Sequence, residues 1–376
     1  MMRPETEAEL AECIAGATSS LRIQGGGTRP VGRPVDGTVL SATCLSGVTL
    51  YDPGALTLVA GAGTPLADVE GALATEGQRL AFEPMDHRGL LGTDGAPTIG
   101  GVVAANVSGP RRVSAGACRD FALGVRFVDG TGQILKNGGR VMKNVTGYDL
   151  VKLMAGSWGT LGVLSEVSLK VLPTPETSAM LLIKGLGTEA AIEAMSTALC
   201  SPFEVTGAAH SPRGADGDPE TMIRVEGFAV SVAYRAGRLK DLLAGFGELR
   251  VEDDPTKTAA GWTWVRDVEA FHGIAGDVWR ISVKPSDAPK VAQRLNAQQM
   301  LFDWGGGLIW ALMPEGVDAR GRIGTVPGHA TLVRASAKTL AKIASFPPEP
   351  PALSMLSVGL RAKFDPRGIL NPGLME

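Results

Sequence analysis

Helical spacing appears first at residues 5–16, where Leu10 and Ile14 fall four apart on one face. Thr6, Glu7 and Glu9 occupy the first turn and Gly16 supplies a stop, so a short amphipathic helix is predicted. A brief apolar run, Leu21 and Ile23, then enters Gly25-Gly26-Gly27-Thr28-Arg29, which reads as a strand ending in bare backbone. Residues 56–63 predict a buried strand. Thr64-Pro65 predicts a helix start with Thr64 as N-cap and Pro65 at the first helical position; Leu66, Val69 and Leu73 draw its apolar face and Gly77 closes it. Residues 84–112 lack a helical period and are dense in small residues, which predicts an ordered loop leading into a buried stretch at 102–105.

Two strand-like runs between Phe121 and Leu135 flank Asp129-Gly130-Thr131-Gly132, a hairpin signature. Residues 148–154 predict a short helix, 159–162 a turn, and 163–172 an alternating strand that stops at Pro173 and Pro175. The texture changes there, and a domain boundary is placed at that double proline. Beyond it, strands are predicted at 179–183, 222–225 and 229–234, and helices at 189–199 and 239–246, which together describe an α+β second domain. Residues 346–352 form a Pro-rich linker, 354–364 a helix, and the chain ends in a turn over 364–373.

Length and composition narrow the class. A chain of 376 residues is long enough for two domains, and 44% hydrophobic with 20% charged residues describes a globular protein. A net charge of -3, with no dense basic run, leaves no electrostatic footprint for nucleic acid. The four cysteines, Cys13, Cys44, Cys118 and Cys200, form no CxxC pair, so a self-contained iron–sulfur or zinc-ribbon motif is excluded and a reducing compartment is expected. The acidic N-terminal stretch lacks the basic and apolar regions of a signal peptide, and no long apolar run predicts a membrane span. A cytoplasmic location follows as the expectation.

Candidate chemistry concentrates in the glycine loop. Glycine accepts positive φ at no cost, so several N–H groups can converge on an anion, with the Thr28 hydroxyl and the Arg29 guanidinium as further donors. A glycine-rich turn with no ligand reads equally well from the loop alone. The later segment Gly61-Ala62-Gly63-Thr64-Pro65-Leu66 fits a dinucleotide fingerprint poorly, because Leu66 stands where the third glycine belongs and Pro65 lacks a donor.

Five blocks in order carry a resemblance: GGGTR (25–29), TIGGVVAANVSG (98–109), CRDFALGVRFVDGTG (118–132), KNVTGYDLVKLMAGSWGTLGVLSEVSLKVLPTP (143–175) and FDPRGILNPG (364–373). The set resembles the FAD-linked oxidases of the vanillyl-alcohol oxidase and p-cresol methylhydroxylase superfamily. Within it, the short length and acidic start are most similar to the FAD-binding subunits of bacterial glycolate oxidases. The resemblance implies an α+β fold with a two-subdomain PCMH-type FAD-binding domain (1–175), a smaller α+β cap domain (176–345) and a C-terminal segment (346–376) that packs back on the FAD domain. It implies FAD held by Gly25, Gly26, Gly27, Thr28 and Arg29 at the pyrophosphate, by Thr98, Gly100, Gly101 and Asn106 along the flavin and ribityl chain, and by Gly162 and Val163 at the adenine. A Cβ at Gly26 is expected to take the space of phosphate oxygens. Non-covalent FAD is expected, since the loop has no His and Cys118 is the nearby candidate for a tether.

The implied partners are a larger FAD-linked subunit and an iron–sulfur subunit, with peripheral attachment to the inner membrane through them. The implied reaction is oxidation of glycolate to glyoxylate; a stand-alone 2-hydroxy-acid or alcohol oxidoreductase, or an assembly subunit, are the alternatives. Such an oxidation needs a cation for the carboxylate and a base for the hydroxyl proton. Arg280 and His329 are the candidates, with Arg334, Lys284 and His272 as further options. No metal site is expected, because His329 has no partner at ligand spacing.

Overall fold

Thr6 opens the first helix, Glu7–Ala15, by accepting the Glu9 N–H at 3.1 Å, and the helix buries Leu10 and Ile14. In this computed structural model, which describes residues 1–140, 147–214 and 216–376, that helix covers a small parallel pair of strands, Leu21–Gln24 and Thr38–Ser41. The first residues of the KNVTGYD block lie outside the described residues. The chain's end completes this subdomain: the Leu21 N–H donates to the Ile369 carbonyl, the Asn371 N–H to the Leu21 carbonyl, and the Ile23 N–H to Asn371 Oδ1 at 2.8 Å. Leu10, Ile14, Leu21, Leu40, Ile369 and Leu370 form its core.

A second subdomain is built on a five-stranded antiparallel sheet in the order Val48–Asp52, Thr57–Gly61, Val163–Lys170, Ala122–Val128, Ile134–Gly138. The hairpin between the last two turns at Asp129, whose Oδ1 accepts the N–H groups of Thr131 and Gln133. Residues 84–112, expected as an ordered loop, hold two short helices, Arg88–Leu91 and Ile99–Ala104, and begin a third, Arg112–Ala115. The second starts because Thr98 caps it, accepting the Gly101 N–H at 3.3 Å. Thr64, read as a cap, does other work: Pro65 is the cap residue, while Thr64 Oγ1 donates to the Gly61 carbonyl at 2.6 Å and accepts the Gly47 N–H at 2.9 Å.

Residues 177–334 carry one eight-stranded antiparallel sheet. Its order is Leu249–Glu252, Thr177–Lys184, Glu220–Gly227, Gly207–Ser211, Gln299–Asp303, Leu308–Met313, Asp277–Val283, Gly328–Arg334. Period-two alternation gives it two buried faces. Trp279, Ile281, Phe302, Ile309 and Leu332 pack with residues of the helices Thr188–Leu199, Ala229–Leu243 and Ala288–Leu295. Val278, Leu301, Leu308, Trp310 and Leu312 pack into the core of the five-stranded subdomain. Residues 229–234, read as a strand for their Val and Tyr content, begin the helix Ala229–Leu243; Val232, Ala236, Leu239 and Leu243 bury at helical spacing, and that packing overrides local β propensity.

Charge also crosses between the two sheets. Arg224 forks onto Glu83 at 3.0 and 3.1 Å, and Arg111 reaches Glu83 at 2.9 Å and Glu226 at 2.8 Å. Arg79 adds a 2.9 Å contact to Glu226. Burial alone would raise the Glu226 carboxyl, but Arg224, Arg111 and Arg79 outweigh it and hold it well below the ordinary range. Among the described residues no helix is long and apolar enough to cross a membrane.

Candidate functional site

The glycine loop lines a cleft of about 400 Å³ between the two subdomains of the N-terminal part. Gly25, Gly26, Gly27, Thr28 and Arg29 form one wall, Thr98, Gly100 and Gly101 the next, and Gly162 and Val163 a third. Asn106 is not in this lining. Its Oδ1 accepts the Arg119 N–H at 3.0 Å and its backbone takes a positive φ of 49°, so it shapes the turn after the helix Ile99–Ala104.

The loop's glycines answer different needs. Gly27 sits at φ 71°, in the left-handed region that favours glycine. Gly26 corrects the expectation about phosphate space, because a Cβ there would lie 1.6 Å from the Ala96 carbonyl oxygen. The protein's own backbone fills that space. Arg29 donates to the Gly101 carbonyl at 3.0 Å, yet its Nε is buried with no partner, and no carboxylate bridges it among the described residues. Burial pushes the guanidinium down to about 10, opposed by Asp86 and Cys118. An orphaned cation beside bare backbone amides, with Ala104, Ala105 and Trp158 as an apolar wall, fits a flat, anionic cofactor.

A second group of side chains lies on the face of the eight-stranded sheet that turns toward the core of the five-stranded subdomain. Arg280 stands opposite Trp310 and Thr331, and His329 opposite Ser282, so all share that face. Trp304 follows the strand Gln299–Asp303 and receives two guanidinium groups: Arg112 Cζ lies 4.7 Å and Arg280 Cζ 5.1 Å from its ring centroid. Burial, then Arg112, pushes Arg280 down to about 10, against the pull of Asp303. His329, exposed on the open edge strand, is lowered by local desolvation and then by Arg280 and Arg112, which favours the neutral ring. His87 is buried and held well below its ordinary value by that burial and then by Arg29. Asp303 is pushed up to about 7 by burial.

Other candidates are occupied elsewhere. Arg334 donates to the carbonyls of Leu90, Phe271 and Ile274, which uses its fork in holding loops. His272 Nε2 lies 2.9 Å from the Asp267 carbonyl oxygen, and its ring packs against Gly89. Lys284 lies just beyond the end of the strand Asp277–Val283. Cys118 is buried in the core with its thiol raised by burial, and it is not among the residues that line the cleft. Arg112, Trp304, Asp303 and His87 escaped the sequence reading. The one signal for them was an acid and a Trp entering three glycines at 305–307, a strand end that departs from apolar alternation.

A family model described as FAD binding domain matches residues 1–138. The chain is 38% identical over 360 residues to the glycolate oxidase subunit GlcE of Escherichia coli (strain K12), spanning 94% of this chain and 92% of that one. It is 33% identical over 171 residues to the glycolate oxidase subunit GlcD of Bacillus subtilis (strain 168), spanning 46% of this chain and 34% of that one. Among solved structures, alkyldihydroxyacetonephosphate synthase aligns with a TM-score of 0.69 at 18% identity, over 98% of this chain and 76% of that one, which shows a shared fold. The cleft's donors, the matched FAD-binding domain and likeness along nearly the whole length converge: FAD is the cofactor, and the chain belongs to the family of the glycolate oxidase subunit GlcE.

Proposed function

We propose that this chain is the FAD-binding subunit of a complex that oxidises glycolate to glyoxylate, with a larger FAD-linked subunit and an iron–sulfur subunit as partners. The observation that carries the reading is Arg280, a half-buried guanidinium with no hydrogen bond or carboxylate among the described residues, on the cap face turned to the FAD-binding domain. Its planar fork matches the two oxygens of a 2-hydroxy acid's carboxylate. The full-length likeness to GlcE supplies the substrate.

The residues divide the work. Gly25, Gly27, Thr28 and Arg29 offer donors to the pyrophosphate, and Gly101 and Gly162 let backbone approach the rest of the cofactor. Non-covalent attachment fits a loop without His and a Cys118 thiol held protonated in the core. When bound, FAD would supply the acceptor for the substrate's α-hydrogen together with the two electrons of that C–H bond. Arg280 orients the acid, and neutral His329 takes the hydroxyl proton onto a ring nitrogen, so the residues themselves gain only that proton.

Glycolate bleaching of this subunit's flavin within the purified complex tests the reading. In Arg280→Gln the complex and its FAD content are expected to persist while bleaching slows on the order of 100-fold, the size of a lost charge-assisted fork. Unchanged bleaching in the variant would remove Arg280 from the substrate site.

A further inference from the structure

Arginines at the contact between the two sheets fall into two groups. Arg79, Arg111, Arg224 and Arg266 each meet a carboxylate of Glu83, Glu226 or Asp267 within 3.0 Å. Arg112 and Arg280 meet none, and neither side chain makes a hydrogen bond among the described residues. The contrast is sharpest between neighbours, since Arg111 is neutralised twice and Arg112 not at all. Arg112 comes from the FAD-binding side, at the start of the short helix Arg112–Ala115, and Arg280 from the cap.

One indole serves both. Trp304 is fixed for this: its N–H donates to Asp303 Oδ1 at 2.7 Å, its Nε1 donates across the domains to the Gly109 carbonyl at 3.1 Å, and its backbone takes φ 53°, uncommon for a bulky residue. A ring face attracts a cation but neutralises no charge, so two guanidinium groups beside one ring still repel. Asp303 bonds to neither of them.

We propose that Arg112 and Arg280, with Trp304 as their shared platform, form one two-cation seat for a small carboxylate, and that the seat favours a dicarboxylate over a monocarboxylate of similar size. Arg112 thereby becomes a substrate-binding residue contributed by the FAD-binding domain, and ligand bridges that domain to the cap. The seat rests on the functional reading above only for the identity of the acid turned over.

The test uses the FAD-loaded complex. Oxalate and glycolate are titrated against flavin difference spectra and tryptophan emission, in wild type, Arg112→Gln and Arg112→Lys, with FAD content and thermal midpoint measured alongside. Oxalate is expected to bind wild type at least about 10-fold more tightly than glycolate, the consequence of two positive charges facing two negative ones. Arg112→Gln is expected to lose about 10- to 100-fold in oxalate affinity and to raise KM for glycolate with little change in kcat, while FAD content holds. Arg112→Lys keeps the charge and the buried stem but loses the fork, so intermediate affinity is expected and a folding defect in the Gln variant leaves the question decidable. Equal affinity for the two acids in wild type, or wild-type oxalate affinity in Arg112→Gln, would overturn the seat. A complex that fails to oxidise glycolate yet loses oxalate affinity in Arg112→Gln would sink the functional reading and leave the seat standing.

Discussion

Asp303 joins the strand Gln299–Asp303 to Trp304, and its ionisation carries a consequence for the whole fold. It is 3% exposed, accepts the Trp304 N–H, and is pushed up to about 7 by burial, with Glu83 adding to the rise and Trp304, Arg224 and Arg280 opposing it. Between its ordinary value of 3.8 and about 7 the folded chain holds a proton that the unfolded chain has lost. This carboxyl's favourable contribution is therefore complete below pH 3.8 and declines as pH rises to about 7. Asp303→Asn keeps the acceptor oxygen and removes the titration. The variant's midpoint of thermal unfolding, relative to wild type, is expected to climb between pH 5 and pH 8 by the equivalent of a few kcal/mol at most. A difference that stays flat across that range would show that Asp303 ionises freely. At this scale the sequence told little: the local pattern barely singles out Asp303 and Trp304, and only the pairing of the strands in the eight-stranded sheet brings them near Arg280.

The glycine loop separates two meanings of a glycine that sequence merges. Gly26→Ala would drive a Cβ to 1.6 Å from a backbone oxygen, so it is expected to lower stability by at least about 3 kcal/mol, and FAD loss in that variant would report folding. Gly101 stands in the first turn of the helix Ile99–Ala104, where an added Cβ meets only the Thr98 hydroxyl at 3.2 Å, while the residue lines the cleft. Gly101→Ala is accordingly expected to keep the apo-protein's midpoint within about 1 kcal/mol and to weaken FAD at least about 10-fold by equilibrium titration. Retained FAD affinity there would move the cofactor away from this helix. The loop and its facing glycines were legible because bare backbone leaves its mark in the sequence. Residues 229–234 form a helix where a strand was expected because six residues, Ala-Val-Ser-Val-Ala-Tyr, carry no period long enough to set helix against strand. The strands Gln299–Asp303 and Leu308–Met313 went unnoticed as well, since burial on both faces erases the alternation that marks a strand.

The molecule as a whole leaves one element inside out. The C-terminal helix Pro351–Phe364 has no fully buried residue, and the side chains it turns toward its own chain are Ser354, Ser357, Arg361 and Phe364. Ser357 Oγ donates to Glu349 at 2.9 Å, and Phe364 anchors the far end, its ring 6.1 Å from that of Phe127. Leu353, Met355, Leu356 and Val358 are 54%, 73%, 65% and 59% exposed. A helix apolar toward water needs a cover, and membership of a family whose relative is named as a subunit points to a partner subunit of the complex. Covering such a side chain stabilises by about 1.5 to 3 kcal/mol. The double variant Met355→Asp, Leu356→Asp is therefore expected to keep FAD and its thermal midpoint as an isolated subunit. In co-purification with the tagged large subunit proposed above as a partner, it should fall at least about 100-fold in affinity, since two desolvated aspartates would replace two apolar anchors. Full recovery of the assembled complex would show that the helix faces something other than the partner. Loss of FAD from the isolated variant would mean that its anchor at Phe364, and not an outer surface, had been disturbed.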